Sequence, residues 1–340
     1  MTFGLMTVLV LMCSLVFIAM KATAAVRLTM MCVCFVIASL VLPAGAVPDM
    51  NDEEMMMAFM GVGLENPVDG ALAAAIPSVD DPPIDFPNAS ATRAMSINAA
   101  GDIVGAYTIG GVTHGYLFRR GNFTSIDFPG SVFTEIWGIN PRGDMIGRYR
   151  IAGDGTNRTR GFFLSHETFT DISVGTHLHT LPTGISASGD IVGCFHDTNF
   201  LVDMRGYLQR GGAVSGFVGP STMHNGVRPG GDTIVGISFE TATIVHSYVV
   251  TNNALTPFDF PGATFTEAWD VNASGTVVGY YNPVTSHGFV RDNNGLRTVD
   301  VEGSLWTRIF GINPQGDIVG SFADANNRIH GFVMRGRNQR

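Results

Sequence analysis

Ile126-Asp127-Phe128-Pro129-Gly130, Thr134-Glu135-Ile136-Trp137-Gly138-Ile139-Asn140, Pro141-Arg142-Gly143-Asp144-Met145-Ile146-Gly147 and, after a variable stretch, Arg160-Gly161-Phe162-Phe163-Leu164 decide the fold, because this order of residues recurs. A second copy runs Phe258-Asp259-Phe260-Pro261-Gly262, Thr266-Glu267-Ala268-Trp269-Asp270-Val271-Asn272, Gly275-Thr276-Val277-Val278-Gly279-Tyr280 and His287-Gly288-Phe289-Val290. The glycine that ends the Ile-Val-Gly signature falls at Gly105, Gly147, Gly193, Gly236, Gly279 and Gly320, at intervals of 41 to 46 residues. A second marker, the glycine of His-Gly-Phe, falls at Gly115, Gly161, Gly206, Gly288 and Gly331, with Ser247 in its place in the fourth unit. Both markers count six units.

Each unit holds four short runs rich in β-branched and aromatic residues, punctuated by Gly, Asn, Pro and Asp. Examples in order are Thr134–Asn140, Asp102–Tyr107, His114–Phe118 and Phe123–Phe128. Four strands in just over forty residues is the arithmetic of a β-propeller blade. The expected fold is therefore all-β, a six-bladed propeller of four-stranded blades over residues 83–340. The repeats open on Ile84-Asp85-Phe86-Pro87, a fourth strand without its first three, and end on His330-Gly331-Phe332-Val333, a third strand without its fourth. The N-terminal strand is thus expected to complete the last blade and close the ring. The Asn-x-x-Gly-Asp turns, as at Asn98–Asp102, fit hairpins with glycine in the left-handed region. Their aspartates are expected to bind their own turns rather than calcium.

Composition narrows the function. Glycine is abundant (42 of 340 residues), charged residues make up 14%, and the formal net charge is −9. Lys21 is the sole lysine, which removes lysine Schiff-base chemistry from the repeats. No basic stripe is present, so nucleic acid is not an expected partner. Of the cysteines Cys13, Cys32, Cys34 and Cys194, three lie in the apolar N-terminus, and Cys194 reads as a small buried residue. Lys21 to Arg27, Leu28–Leu42 and Ala44-Gly45-Ala46 have the order of a signal peptide. Residues 1–46 are read so, with translation from Met20 as one option and a retained membrane anchor as the alternative. Residues 47–82, acidic and rich in Met and Pro, are read as a linker. A secreted, extracellular or periplasmic location follows.

Thr-x-Ala-x-Gly-Ile-Asn-x-x-Gly-x-Ile-Val-Gly-x-Tyr, followed by His-Gly-Phe and Thr-x-Ile-Asp-x-Pro-Gly, resembles the bacterial "extracellular repeat, HAF family" proteins over residues 84–335. The resemblance implies export and a repeat β architecture, and carries no catalytic residues with it. Units three and four depart most, with Ser186 and Arg228 in place of the turn asparagine.

Candidate site residues come from where the repeat breaks. The residue after the threonine that opens each first strand is Arg93, Glu135, Leu181, Met223, Glu267 and Arg308. Its neighbours are stereotyped and it is not. Two carboxylates and two arginines at a channel mouth can grip a polar ligand or act as acid and base; the alternative is a set of ion pairs between blades. His177, His179 and His224 enter the same region, but their spacing lacks the signature of a zinc site, and no metal or cofactor is expected. Trp137, Trp269 and Phe310 share one repeat position and are expected to pack blade against blade. The connections of variable length, around residues 150–160, 196–205 and 239–246, mark the expected binding face. Two functions remain open: a non-catalytic extracellular binding or interaction module, for a polysaccharide, an acidic sugar or another protein, and a carbohydrate-active hydrolase or lyase. The absence of any motif with a catalytic mechanism favours the first.

Overall fold

A computed structural model describes residues 82–153, 158–197, 201, 203–216, 221–282 and 284–336. The signal-peptide reading and nearly all of the linker fall outside them. The described residues contain strands and turns and no helix.

The strands pair as consecutive antiparallel meanders. The first unit is β1 (Ala91–Ile97), β2 (Ile103–Ile109), β3 (Val112–Arg119) and β4 (Asn122–Ile126); the second is β5 (Ser131–Ile139), β6 (Met145–Ile151), β7 (Arg160–Ser165) and β8 (Thr168–Ile172). The third is β9 (His179–Ile185), β10 (Ile191–His196), β11 (Arg205–Arg210) and β12 (Ala213–Gly216); the fourth is β13 (Thr222–Val227), β14 (Thr233–Phe239), β15 (Val245–Thr251) and β16 (Ala254–Phe258). The fifth is β17 (Phe265–Val271), β18 (Val277–Asn282), β19 (His287–Asp292) and β20 (Gly295–Val299). The sixth has three strands, β21 (Trp306–Ile312), β22 (Ile318–Ala323) and β23 (Ile329–Met334). Among the described residues, units join edge to edge only at single parallel bridges, Ala91 to Ile329 and Val245 to Phe265, so the units meet mainly by packing their faces. That suits the burial of Tyr116, Phe162, Tyr207, Tyr248, Phe289 and Phe332, one per unit on the third strands.

The repeat letters each have a physical task. The threonine hydroxyl accepts a backbone N–H from six residues upstream: Phe86 to Thr92 at 3.0 Å, Phe128 to Thr134 at 3.1 Å, Val174 to Thr180 at 3.2 Å, Phe260 to Thr266 at 3.0 Å and Val301 to Thr307 at 3.0 Å. This anchors the connection that enters each first strand. Every first strand then carries a β-bulge, between Ala94 and Ser96, Ile136 and Gly138, Pro182 and Gly184, His224 and Gly226, Ala268 and Asp270, and Ile309 and Gly311. The glycine of Ile-Val-Gly faces the bulge. A Cβ on Gly147 or Gly279 would overlap the carbonyl oxygen of Glu135 or Glu267, which explains why no other residue stands at this position.

The turn asparagine holds its hairpin. Asn98 Oδ1 accepts the N–H groups of Ala100 and Asp102 at 2.9 and 3.0 Å, and Gly101 sits at φ 79°. The aspartates serve the turns as expected: Asp102 accepts from Asn98 and from both Nε and a terminal nitrogen of Arg119. Burial alone would raise the pKa of Asp102, but the bonds from Arg119 and Asn98 bring it below the usual carboxylate value.

The N-terminal residues meet the last strand of the sixth unit at one isolated antiparallel bridge. Ile84 exchanges backbone hydrogen bonds with Gly331 at 2.8 and 3.2 Å. Elsewhere the histidine of His-Gly bonds an aspartate thirteen residues downstream, as His114 to Asp127 and His287 to Asp300. His330 makes the equivalent bond with Asp85, at 2.9 Å. Phe86 stacks on Tyr107 at 3.6 Å, as Phe128 does on Tyr149 and Phe260 on Tyr281.

Candidate functional site

The six first strands surround one cavity, and the bulge decides which side chains enter it. The bulged residues Met95, Trp137, Thr183, Asn225, Trp269 and Phe310 all line it. Trp137 and Trp269 stack with ring centroids 5.1 Å apart, and Phe310 meets both edge-on at 6.4 and 5.2 Å. The expectation that these rings pack one unit against its neighbour holds for Phe310 against Trp269 and Tyr280 of the fifth unit, and is corrected for Trp137 and Trp269, which join the second unit to the fifth. Without the extra residue of the bulge, strand alternation would have placed them otherwise; with it, they meet each other at the centre.

Each tryptophan is pinned by a carboxylate two residues before it. Trp137 Nε1 donates to Glu135 Oε2 at 3.0 Å, and Trp269 Nε1 donates to Glu267 Oε2 at 2.9 Å. Glu135 also receives Arg148 from β6, whose Nε and terminal nitrogen both lie 2.8 Å from Oε2. The Arg148 guanidinium lies 4.5 Å from the centroid of Trp137. Glu267 is fully buried, and its Oε1 has no hydrogen-bond partner among the described residues. Burial raises its pKa, offset in part by Tyr280, Trp269 and the charge of Arg308.

Neither arginine forms an ion pair with these carboxylates among the described residues, though the charge of Arg308 acts on Glu267. Arg308 is buried, donates from Nε to the Ser286 hydroxyl at 3.1 Å, and lies over the rings of Tyr280 at 4.9 Å and Trp306 at 5.1 Å. Arg93 is half-buried, and its side chain makes no hydrogen bond or ion pair among the described residues. The two occupy the same repeat position on β1 and β21, which lie side by side. Leu181 and Met223 take that position on β9 and β13.

The three histidines are not brought together. His177 bonds Asp197 at 2.8 Å and stacks on Phe195. His179 accepts the Thr159 N–H at Nδ1 and stacks on His196 at 4.5 Å. His224 is fully buried between units three and four, where a Cβ on Gly206 would press on its ring. Tyr248 donates to the Met223 carbonyl, so His224 Nδ1 donates to Tyr248 at 2.7 Å. Burial pushes the His224 imidazole down to about 4, keeping it neutral. Among the described residues no group of three His, Cys, Asp or Glu could hold a metal ion. Cys194 is buried and its thiol is pushed up to about 12 by burial, which leaves it unreactive.

The cavity, about 90 Å³, lies on the other side of the Trp pair from the variable connections. Its rim is formed by Ile97, Ile139, Ile185, Val227, Val271 and Ile312 and by residues of the short first-to-second turns, among them the exposed Pro141 and Pro314. Sequence reasoning did not point to this end. A signal was present: Asp270 stands where four units have Gly138, Gly184, Gly226 and Gly311 and the first has Ser96.

No family model matches the chain, and no curated protein matches it. Solved structures do. A putative TolB from Agrobacterium tumefaciens aligns over 72% of this chain and 90% of its own, at 12% identity and a TM-score of 0.50. An arginine-to-alanine triple mutant of AofleA from Arthrobotrys oligospora aligns over 73% and 84%, at 13% identity and a TM-score of 0.50. The β-propeller domain of the Trilobed protease from Pyrococcus furiosus aligns over 73% and 96%, at 8% identity and a TM-score of 0.45. At these identities the likeness is one of fold: the chain is all-β and of β-propeller type.

Proposed function

We propose that this chain is a secreted, non-catalytic binding module on a six-bladed propeller closed by its own N-terminal strand, with its ligand site at the channel mouth around Arg93 and Arg308. The pairing of Ile84 with Gly331, the bond between Asp85 and His330, and Asn313 Nδ2 donating to the Asn98 carbonyl at 3.4 Å support closure between units six and one. The leader and the likeness to extracellular repeat proteins support export.

The observation that carries the site is the charge balance at the mouth. The Arg93 side chain is without a partner among the described residues, and Arg308 has only a hydroxyl and two aromatic faces. The acids at the same level are occupied or buried: Glu135 by Arg148 and Trp137, Glu267 behind its own tryptophan. Two guanidiniums suit a carboxylate, and Trp306 beside Arg308 offers an apolar ring, so an acidic sugar matches both. Binding is favoured over hydrolysis because a glycosidase needs both carboxyl groups within reach of substrate, and Glu267 has no exposed surface.

Calorimetric titration with uronic-acid oligosaccharides tests this reading. Wild type is expected to bind, Arg93→Ala to bind at least tenfold more weakly, and Arg93→Ala/Arg308→Ala not at all. Unchanged binding by the variants refutes the site, and release of shorter sugars by wild type moves the protein to the enzyme class.

A further inference from the structure

The cavity at the turn end of the first strands has a composition unlike the mouth. Its rim is aliphatic and its inner wall aromatic. Two polar side chains from neighbouring units stand on one wall. Asn225 is 1% exposed; its Nδ2 donates to the Ala268 carbonyl at 2.8 Å, and its Oδ1 has no partner among the described residues. Asp270 packs against Gly226, the residue that follows Asn225. Its two oxygens accept the N–H groups of Val271 at 2.8 Å and Ile312 at 3.0 Å, which fixes the carboxyl and leaves each oxygen a free lone pair. No arginine, lysine or histidine lines the cavity.

Donors are scarce there apart from the Ser96 hydroxyl. Asn98 Nδ2 bonds Asp102 and the Asn140 carbonyl, the Thr183 hydroxyl bonds the His224 carbonyl, and both indole N–H groups are held by glutamates. An acceptor-rich wall inside an apolar rim asks for a ligand with several donors, a positive charge and a short hydrocarbon part. Burial pushes the Asp270 carboxyl up to about 7, so a nearby cation would relieve a real cost. At about 90 Å³ the space is smaller than the roughly 150 Å³ cavity that admits benzene, and suits a ligand of a few non-hydrogen atoms.

We propose that this cavity is a binding site for a small protonated alkylamine, whose ammonium group is held by Asp270 and Asn225 Oδ1 and whose carbons lie against the Ile and Val rim. A simple metal ion fits less well, because two side-chain oxygens do not fill its coordination shell.

The probe is ethylammonium chloride, followed by tryptophan fluorescence, since Trp137 and Trp269 form the inner wall. Sodium chloride at equal ionic strength and ethanol are the controls. Saturable binding of ethylammonium at least tenfold tighter than either control is expected. Asp270→Gly restores the residue found in four other units and should weaken binding at least tenfold; Asn225→Leu should weaken it severalfold. Folding of both variants is checked by their thermal transitions. No saturation, equal response to sodium, or unaltered binding by a folded Asp270→Gly protein each overturns the proposal.

Discussion

The second and fifth units carry one motif, Glu-x-Trp, and use it in two ways. In both, the glutamate pins the indole, and the two indoles stack on each other. The residue opposite the glutamate on the second strand differs: Arg148 faces Glu135, and Tyr280 faces Glu267. One site is an ion pair, with both side chains under a tenth exposed. The other is a buried carboxyl with no cation bonded to it and a raised pKa. The repeat thus sets where a carboxyl goes, and a single cross-strand residue sets whether it meets a cation there.

The largest expected effect follows from that asymmetry. Glu135→Gln takes the countercharge from a buried guanidinium and is expected to cost about 3–5 kcal/mol of unfolding free energy. Glu267→Gln replaces a carboxyl that is costly to ionise by a neutral amide that can still accept from Trp269 Nε1. Its expected cost is within about 1 kcal/mol, or a small gain. Urea unfolding of the two variants at neutral pH measures both. Equal losses would break the comparison and make the two sites the same ion-pair type.

The repeat and its short strands could be read from the sequence because each depends on local chemistry. A threonine that accepts from six residues upstream, a glycine with no room for a Cβ and a histidine thirteen residues before an aspartate leave fixed spacings. The meeting of Trp137 with Trp269 was not legible, because it depends on where two bulges turn side chains far apart in the chain. The cross-strand residues were hidden too. Ala106, Arg148, Cys194, Ile237, Tyr280 and Ser321 vary freely within an otherwise constant strand, and only the register shows which of them faces a glutamate. The candidate arginines were legible as breaks in the repeat, and Asp270 was an equally clear break on the same strands.

The smallest effect sharpens the comparison most. The Tyr280 hydroxyl holds the Glu267 pKa down somewhat against burial, though Glu267 Oε1 lacks a hydrogen bond of normal geometry. A carboxyl raised above its unfolded value of 4.5 keeps a proton in the folded state that the unfolded chain has released. Its contribution to stability is therefore full below pH 4.5 and is lost as pH rises through the folded value. Asp270 acts in the same direction between 3.8 and about 7. Wild-type stability is expected to decline over this range, and Glu267→Gln to remove the part due to Glu267. Tyr280→Phe withdraws the hydroxyl, so it should raise the Glu267 pKa further and extend the decline to higher pH. At neutral pH it should cost about 1 kcal/mol or less, the worth of one imperfect hydrogen bond. Thermal unfolding from pH 4 to 9 for wild type, Glu267→Gln, Tyr280→Phe and the double variant separates these outcomes. The Tyr280→Phe shift must vanish when Glu267 is already glutamine. A shift that persists in the double variant would mean that Tyr280 acts on some other group, and the contrast between the two glutamates would then not rest on the residue across the strand.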